Sequence, residues 1–299
     1  MSAQPAAADD ILIDRAVLER ATGDARISFA NNGTTTRLGE LYQSGSAKIR
    51  LPRRHPGEVL EAIVINTSGG LTDGDRFTLT ADWTPNAVAI LTTQAAERIY
   101  KSRHGNAELT TTLRIASGAT AFWLPQETIL FDGGRLSRLC RVHLEDNAAF
   151  LGVESVVFGR TAMGETVLTG ALAEKFEIYR NNKRVWIDSF ALASRPDATI
   201  ADQRNRPACL GGAAASATII CTGPDPKRLL ETSRNLAENT AVQMAATCRE
   251  HLVIARIAAK DGSALRGPMM ALLRALKADL LQDQTHISSP AALPRVWDL

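Results

Sequence analysis

A chain of 299 residues, 45% hydrophobic and 22% charged, has ample material for a buried core and the make-up of an ordinary soluble globular protein. Its 34 basic and 32 acidic residues leave a net charge of +2, which argues against a dedicated nucleic-acid surface. No run of about 18 apolar residues exists to span a membrane, and four scattered cysteines (Cys140, Cys209, Cys221 and Cys248) form neither a CxxC pair nor a disulfide framework.

The N-terminus is acidic and lacks a basic start followed by an apolar stretch, so it makes a poor signal peptide, and a cytoplasmic protein with reduced thiols is expected. Residues 1–24 read as a mobile N-terminal segment. Its first ten residues are expected to be disordered, and the helical spacing of Ile11, Val17 and Leu18 suits either a helix to Thr22 or a tail that orders on a partner. Residues 25–281 read as a single β-rich domain, and residues 282–299, with Pro290 and Pro294, as an irregular C-terminal arm.

From Ala25 the pattern becomes short alternating segments separated by turn chemistry at Asn31-Asn32-Gly33 and Ser44-Gly45-Ser46. Ile63, Val64 and Ile65 begin a strand that breaks into the Gly-rich loop NTSGGLTDGD, after which Phe77 and Leu79 alternate with Thr78 and Thr80. The strand ending at Thr92, Thr93 and Gln94 runs into Glu97, Arg98 and Lys101 around Tyr100. ELTTTLRIAS then places Leu109, Thr111, Leu113 and Ile115 on one face, and Pro125 breaks the next strand so that Gln126 and Glu127 sit at a strand end. SRLCRVHLED puts Cys140, Val142 and Leu144 inward and Arg141, His143 and Glu145 outward. Further strands follow, with a hairpin at Asn181-Asn182. About a dozen short strands without intervening helices predict a mainly β, antiparallel body. Two late helices are predicted, one capped by Asp225 and opened by Pro226, the other opened by Pro268 and carrying Met269, Leu272, Leu273, Leu276 and Leu280 at helical spacing.

Four segments, INTSGGLTDGD, LTTQAAERIYKS, FWLPQETILFDGG and FGRTAMGE, in this order and spacing, resemble the urease accessory protein D family (UreD, also called UreH), over about Arg26 to Leu281. The resemblance implies a stacked, β-helix-like arrangement of strands. It also implies a non-enzymatic nickel metallochaperone scaffold that binds the urease apoprotein subunits, docks the accessory proteins UreF and UreG (a GTPase), and guides Ni2+ through a polar interior. On this reading no cofactor is tightly bound and Ni2+ is transient, with the N-terminal segment and late helices as the expected partner surface.

The residues themselves leave alternatives open. NTSGGLTDGD lacks the Gly-Lys-Ser/Thr of a phosphate loop and is followed by no helix. Asp73 and Asp75 suit either a tight structural turn or carboxylates facing a polar route. With Glu127 they are the candidate metal-lining residues. Only five histidines occur (His55, His104, His143, His251 and His286), without HxH or HxxH spacing, which suits a conduit better than a high-affinity store. Thr93, Gln94, Tyr100 and Lys101 read as buried core hydrogen-bonders or as route wall. Arg160 and Glu165 read as an internal ion pair closing a loop, or as a partner contact or a wall of the polar route. The competing functions are acid/base enzymology by Asp73 or Asp75 with Glu127, and a generic interaction protein with no metal role.

Overall fold

A computed structural model describes residues 19–33, 35–160 and 163–298. In chain order its strands begin with β1 (Thr22–Asn31), β2 (Thr36–Gly45), β3 (Ala47–Arg50), β4 (Leu60–Asn66), β5 (Arg76–Trp83) and β6 (Val88–Thr93). There follow β7 (Glu97–Ile99), β8 (Ala107–Ile115), β9 (Thr120–Leu124), β10 (Thr128–Leu130), β11 (Arg135–Leu144) and β12 (Ala149–Phe158). The last are β13 (Ala171–Arg180), β14 (Lys183–Ala193), β15 (Ala215–Thr222), β16 (Gln243–Arg249) and β17 (Leu252–Ala259). The helices are α1 (Ile200–Asn205), α2 (Pro226–Glu238) and α3 (Gly262–Leu281), with a final 3-10 turn at Arg295–Trp297.

Two sheets form, one ordered β14-β13-β11-β8-β5-β1-β2 and the other β16-β17-β15-β12-β9-β6-β4-β3 with β7 and β10 beside it. From β4 to β13 the main strands alternate between the sheets, so each coil is one strand in each. The mainly β, stacked architecture is therefore present, but the central pairings are parallel: β1–β5–β8–β11–β13 in one sheet and β4–β6–β9–β12 in the other. The antiparallel expectation holds for the flanking pairs, such as β13–β14 and β15–β17. Parallel strands need a crossover, ordinarily a helix. Here the crossover is a strand of the opposite sheet, which is why missing helices suggest hairpins. The coils are unequal, since Leu79 aligns with Thr111, Thr111 with Cys140 and Cys140 with Phe176, and no fixed period shows in the sequence.

The facing sides of the sheets enclose one core around Phe29, Leu79, Trp83, Val142, Phe150 and Phe176. A second core lies between the other face of the ten-stranded sheet and the helices, with Phe122, Leu151 and Ile219 against Leu272 and Leu276. Strands β9 and β12, covered on both faces, are accordingly apolar almost throughout. Burying each such side chain stabilises by roughly 1.5–3 kcal/mol.

Several boundaries differ from the sequence reading. Thr22 already belongs to β1, and the helical reading before residue 19 lies outside the described residues. Helix α2 starts as expected, with Asp225 accepting from Arg228 N at 3.0 Å and Pro226 in the first turn. Helix α3 starts earlier than Pro268, because the Asp261 carboxylate accepts from Ala264 N at 2.7 Å and caps it there. Strand β16 and the short α1, held by a Thr199/Asp202 capping box, are additional to the reading. The apolar faces of α2 and α3 are spent on the ten-stranded sheet and are not free for a partner.

Candidate functional site

Between the sheets lie two cavities. The larger, about 530 Å3, runs from exposed Gln243 and Ser189 inward past Phe176 and Ser216. The smaller, about 260 Å3, runs from exposed Gly69, Gln94 and Arg98 inward past Leu109 and Trp123. Arg138 and Glu154 line both cavities and form the partition where they meet. The two cavities thus share a wall, and that wall is a charged pair.

Strand alternation sets up this partition. Arg138 shares the inward parity of Cys140 and Val142 on β11, and its register partner on β13 is Glu174. Glu154 shares the inward parity of Phe150 and Val156 on β12. The Arg138 guanidinium donates from Nη1 to Glu154 at 2.7 Å and to Thr128 Oγ1 at 2.9 Å, and from Nη2 to Glu174. Trp123 Nε1 donates to the other Glu154 oxygen at 3.0 Å. Burial works against the charge on Arg138, but the two carboxylates outweigh it and raise its pKa. Burial also raises Glu174, against the pull of Arg138, and puts the Cys140 thiol far above the usual range. Toward the larger mouth, Arg256 of β17 pairs with Asp188 of β14 at 2.7 Å and ties the two sheets together.

At the smaller mouth Glu97 accepts from Asn66 Nδ2 at 3.1 and 3.2 Å. Desolvation lifts its pKa from the ordinary 4.5 to about 7, against the lowering effect of Asn66. A carboxyl whose folded pKa is raised binds extra protons when folded, so its stabilising contribution is complete at low pH and is lost as pH rises through about 7. The thermal midpoint of the wild type relative to Glu97→Gln is therefore expected to fall between pH 5 and pH 8, and parallel curves for the two proteins would contradict the assignment. Gly70 permits the close approach here. At φ 148° it lies so near β7 that a Cβ would sit 2.7 Å from the Arg98 carbonyl oxygen.

Of the sequence candidates, Thr93 and Gln94 line the smaller cavity. Thr93 Oγ1 accepts from Gln126 N at 2.9 Å, and Gln94 N donates to the Val64 carbonyl at 2.9 Å. Tyr100 is 39% exposed and donates to the Gly69 carbonyl at 3.3 Å, while the Lys101 side chain is exposed against Gly133. Neither Tyr100 nor Lys101 is buried in the core as one of the readings had it. Arg160 and Glu165 form the loop-closing pair at 2.9 Å, which is partly exposed and not internal, and Glu165 also accepts from Asp132 N at 3.2 Å.

The three carboxylates singled out from sequence do not converge. Asp75 accepts from Ala21 N and Thr72 N, both at 2.8 Å. Asp73 accepts from His104 N at 3.3 Å and Arg20 Nη1 at 3.4 Å; burial opposes its ionisation, but these donors lower its pKa. Glu127 pairs with Arg266 of α3 at 3.5 Å. None of the three is among the residues lining either cavity, so the turn reading describes Asp73 and Asp75, and the shared cleft that acid/base chemistry would need is not formed. The acidic groups lining the two cavities are Glu97, Glu154, Glu174 and Asp188. Glu154 and Glu174 are legible in hindsight, as charges at inward strand parity. Among the described residues no group of three or more His, Cys, Asp and Glu side chains is gathered to hold a metal ion, and no helix is long and apolar enough to cross a membrane.

Fold and site together define a β-solenoid-like scaffold with two cavities between its sheets that meet at a charged wall. A family model described as "UreD urease accessory protein" matches residues 21–298. A urease accessory protein UreD of Chelativorans sp. (strain BNC1) is 42% identical over 284 residues, covering 95% of this chain and 96% of the relative. Those of Rhizobium leguminosarum bv. viciae and Brucella abortus biovar 1 (strain 9-941) are 39% and 38% identical, each over 94% of this chain. This chain belongs to the UreD urease accessory protein family.

Proposed function

We propose that this chain is a non-enzymatic maturation factor of the cytoplasm that binds apo-urease together with the accessory proteins UreF and UreG, and that Ni2+ crosses it as cargo through the passage between the sheets. Family membership implies a role in urease maturation. The observation that supports the cargo route is the meeting of two cavities at Arg138 and Glu154, with acidic groups along the way. Carboxylates and water bind divalent nickel less tenaciously than imidazole or thiolate clusters, so a metal in this passage exchanges instead of settling. The same chemistry suits delivery and suits storage poorly. Asp73, Asp75 and Glu127 serve this function through the turns and helix contacts that shape the scaffold.

Ser216 tests the route because it lines the larger cavity on inward-facing β15, where a large ring has room. Ser216→Trp is expected to leave the protein folded and able to co-purify with urease and the accessory proteins. Nickel per urease active site after reconstitution should nevertheless fall at least about tenfold, with Ser216→Ala unaffected. Full nickel loading by a folded Ser216→Trp protein would rule out the passage as the route, and failure to capture urease at all would remove the docking role.

A further inference from the structure

The partition between the cavities is an arginine held by two acids, which is an odd choice for a wall. A packed apolar triad at the same place would be at least as stable, because burying ions costs several kcal/mol each and their attraction only about repays it. Arg138 is 6% exposed, yet it faces open volume on both sides, about 530 Å3 and about 260 Å3. Its side chain has room to swing without displacing core residues. Glu154 has an anchor besides Arg138, since Trp123 Nε1 donates to its Oε1 at 3.0 Å. Glu174 sits on the register partner of Arg138 in the adjacent strand. The two carboxylates thus reach the guanidinium from opposite sheets, so a cation standing in its place would meet both.

We propose that Arg138 is the gate of this passage, a resident cation that occupies the Glu154–Glu174 pair and is displaced by the divalent cation in transit. The inference rests on the passage reading above. With the gate closed the cluster holds one guanidinium against two carboxylates, so the next cation is attracted but finds no vacant ligand. As the guanidinium swings into a cavity, the metal ion takes the two carboxylates. The returning guanidinium then competes for the same oxygens and drives the ion onward. Such competition keeps occupancy short without lowering the number of acidic ligands, and no bond other than metal–oxygen coordination forms or breaks.

The test uses the full chain in complex with its accessory partners, with Ni2+ itself as the probe. Arg138→Met removes the competitor and is expected to raise Ni2+ affinity by at least about tenfold in equilibrium dialysis, since a like charge a few ångströms from the ion opposes its binding. Nickel delivered to urease should fall at the same time, because the ion is retained. Since Arg138→Met leaves two buried acids uncompensated and risks misfolding, Arg138→Lys is measured beside it. The lysine keeps the charge but cannot bridge both carboxylates, so the same two changes are expected at smaller size. Unchanged Ni2+ affinity in whichever variant folds overturns the gate. If Ser216→Trp blocks delivery while Arg138→Lys matches the wild type in both readouts, the passage stands and the gate falls. If Ser216→Trp delivers normally, both fall.

Discussion

Trp297→Ala is expected to destabilise the protein by about 3–5 kcal/mol, the usual cost of deleting a fully buried large aromatic. Trp297 is 1% exposed although it lies two residues from the C-terminus. Its Nε1 donates to the Leu124 carbonyl at 3.1 Å and to Thr92 Oγ1 at 3.3 Å. The Arg266 guanidinium lies 5.5 Å from its ring centroid and donates to the Trp297 carbonyl at 2.6 Å. These contacts close the gap that Pro125 opens between β9 and β10, where Gln126 Nε2 donates to the Val296 carbonyl at 3.0 Å and its Oε1 accepts from Arg266 at 3.0 Å. Gln126 also lines the smaller cavity, so the terminal segment braces one wall of that cavity. Chemical denaturation should show the loss as a lower midpoint with little change in slope. Limited proteolysis should cut between residues 282 and 296 in the variant and not in the wild type. Trp297→Phe keeps most of the buried ring and loses the Nε1 bonds, so it should cost only about 1–2 kcal/mol. A Trp297→Ala protein within about 1 kcal/mol of the wild type would show that the segment is not an anchor.

The prolines at 290 and 294 announce an irregular end to the chain, and nothing local in RVWDL announces that its tryptophan is a core residue. Most strands are legible because alternation is a property of a few adjacent residues. Thus Leu109, Thr111, Leu113 and Ile115 fall on one face as their spacing dictates, and Asn181 and Asn182 both take the left-handed conformation (φ 49° and 62°) that a tight hairpin turn needs. Pairing direction is not local. Whether Leu79 lies beside Thr111 or opposite some antiparallel neighbour depends on a crossover through the other sheet, and strand periodicity is the same in both cases. The acidic residues of the Gly-rich loop draw the eye because loops carry function often. The charges that line the cavities between the sheets sit instead inside strands, where Arg138, Glu154 and Glu174 pass for ordinary solvent-facing residues unless the parity of their apolar neighbours is counted.

Asp75→Ala is expected to cost about 2–4 kcal/mol, because the carboxylate, 5% exposed, accepts two backbone N–H groups, from Ala21 and Thr72, both at 2.8 Å. Charge-assisted bonds contribute about 1.5–3 kcal/mol each, and a buried donor left alone costs a comparable amount. Asp75→Asn keeps the acceptor oxygen for one donor and should recover roughly half of that loss. These bonds fasten the chain leading into β1 onto the turn before β5. Leu71 N donates to the Arg98 carbonyl at 2.8 Å from the same turn, bringing it against β7, where Gly69, Gly70 and Glu97 form the smaller mouth. An acid placed there acts on the mouth through the backbone it holds, and its charge need never meet the cargo. The two roles separate experimentally: a positioning role lowers the denaturation midpoint of Asp75→Asn and leaves nickel delivery per folded molecule near the wild-type value. Wild-type stability with lost delivery would return Asp75 to the route itself, and would require the turn to open toward the passage when urease is bound.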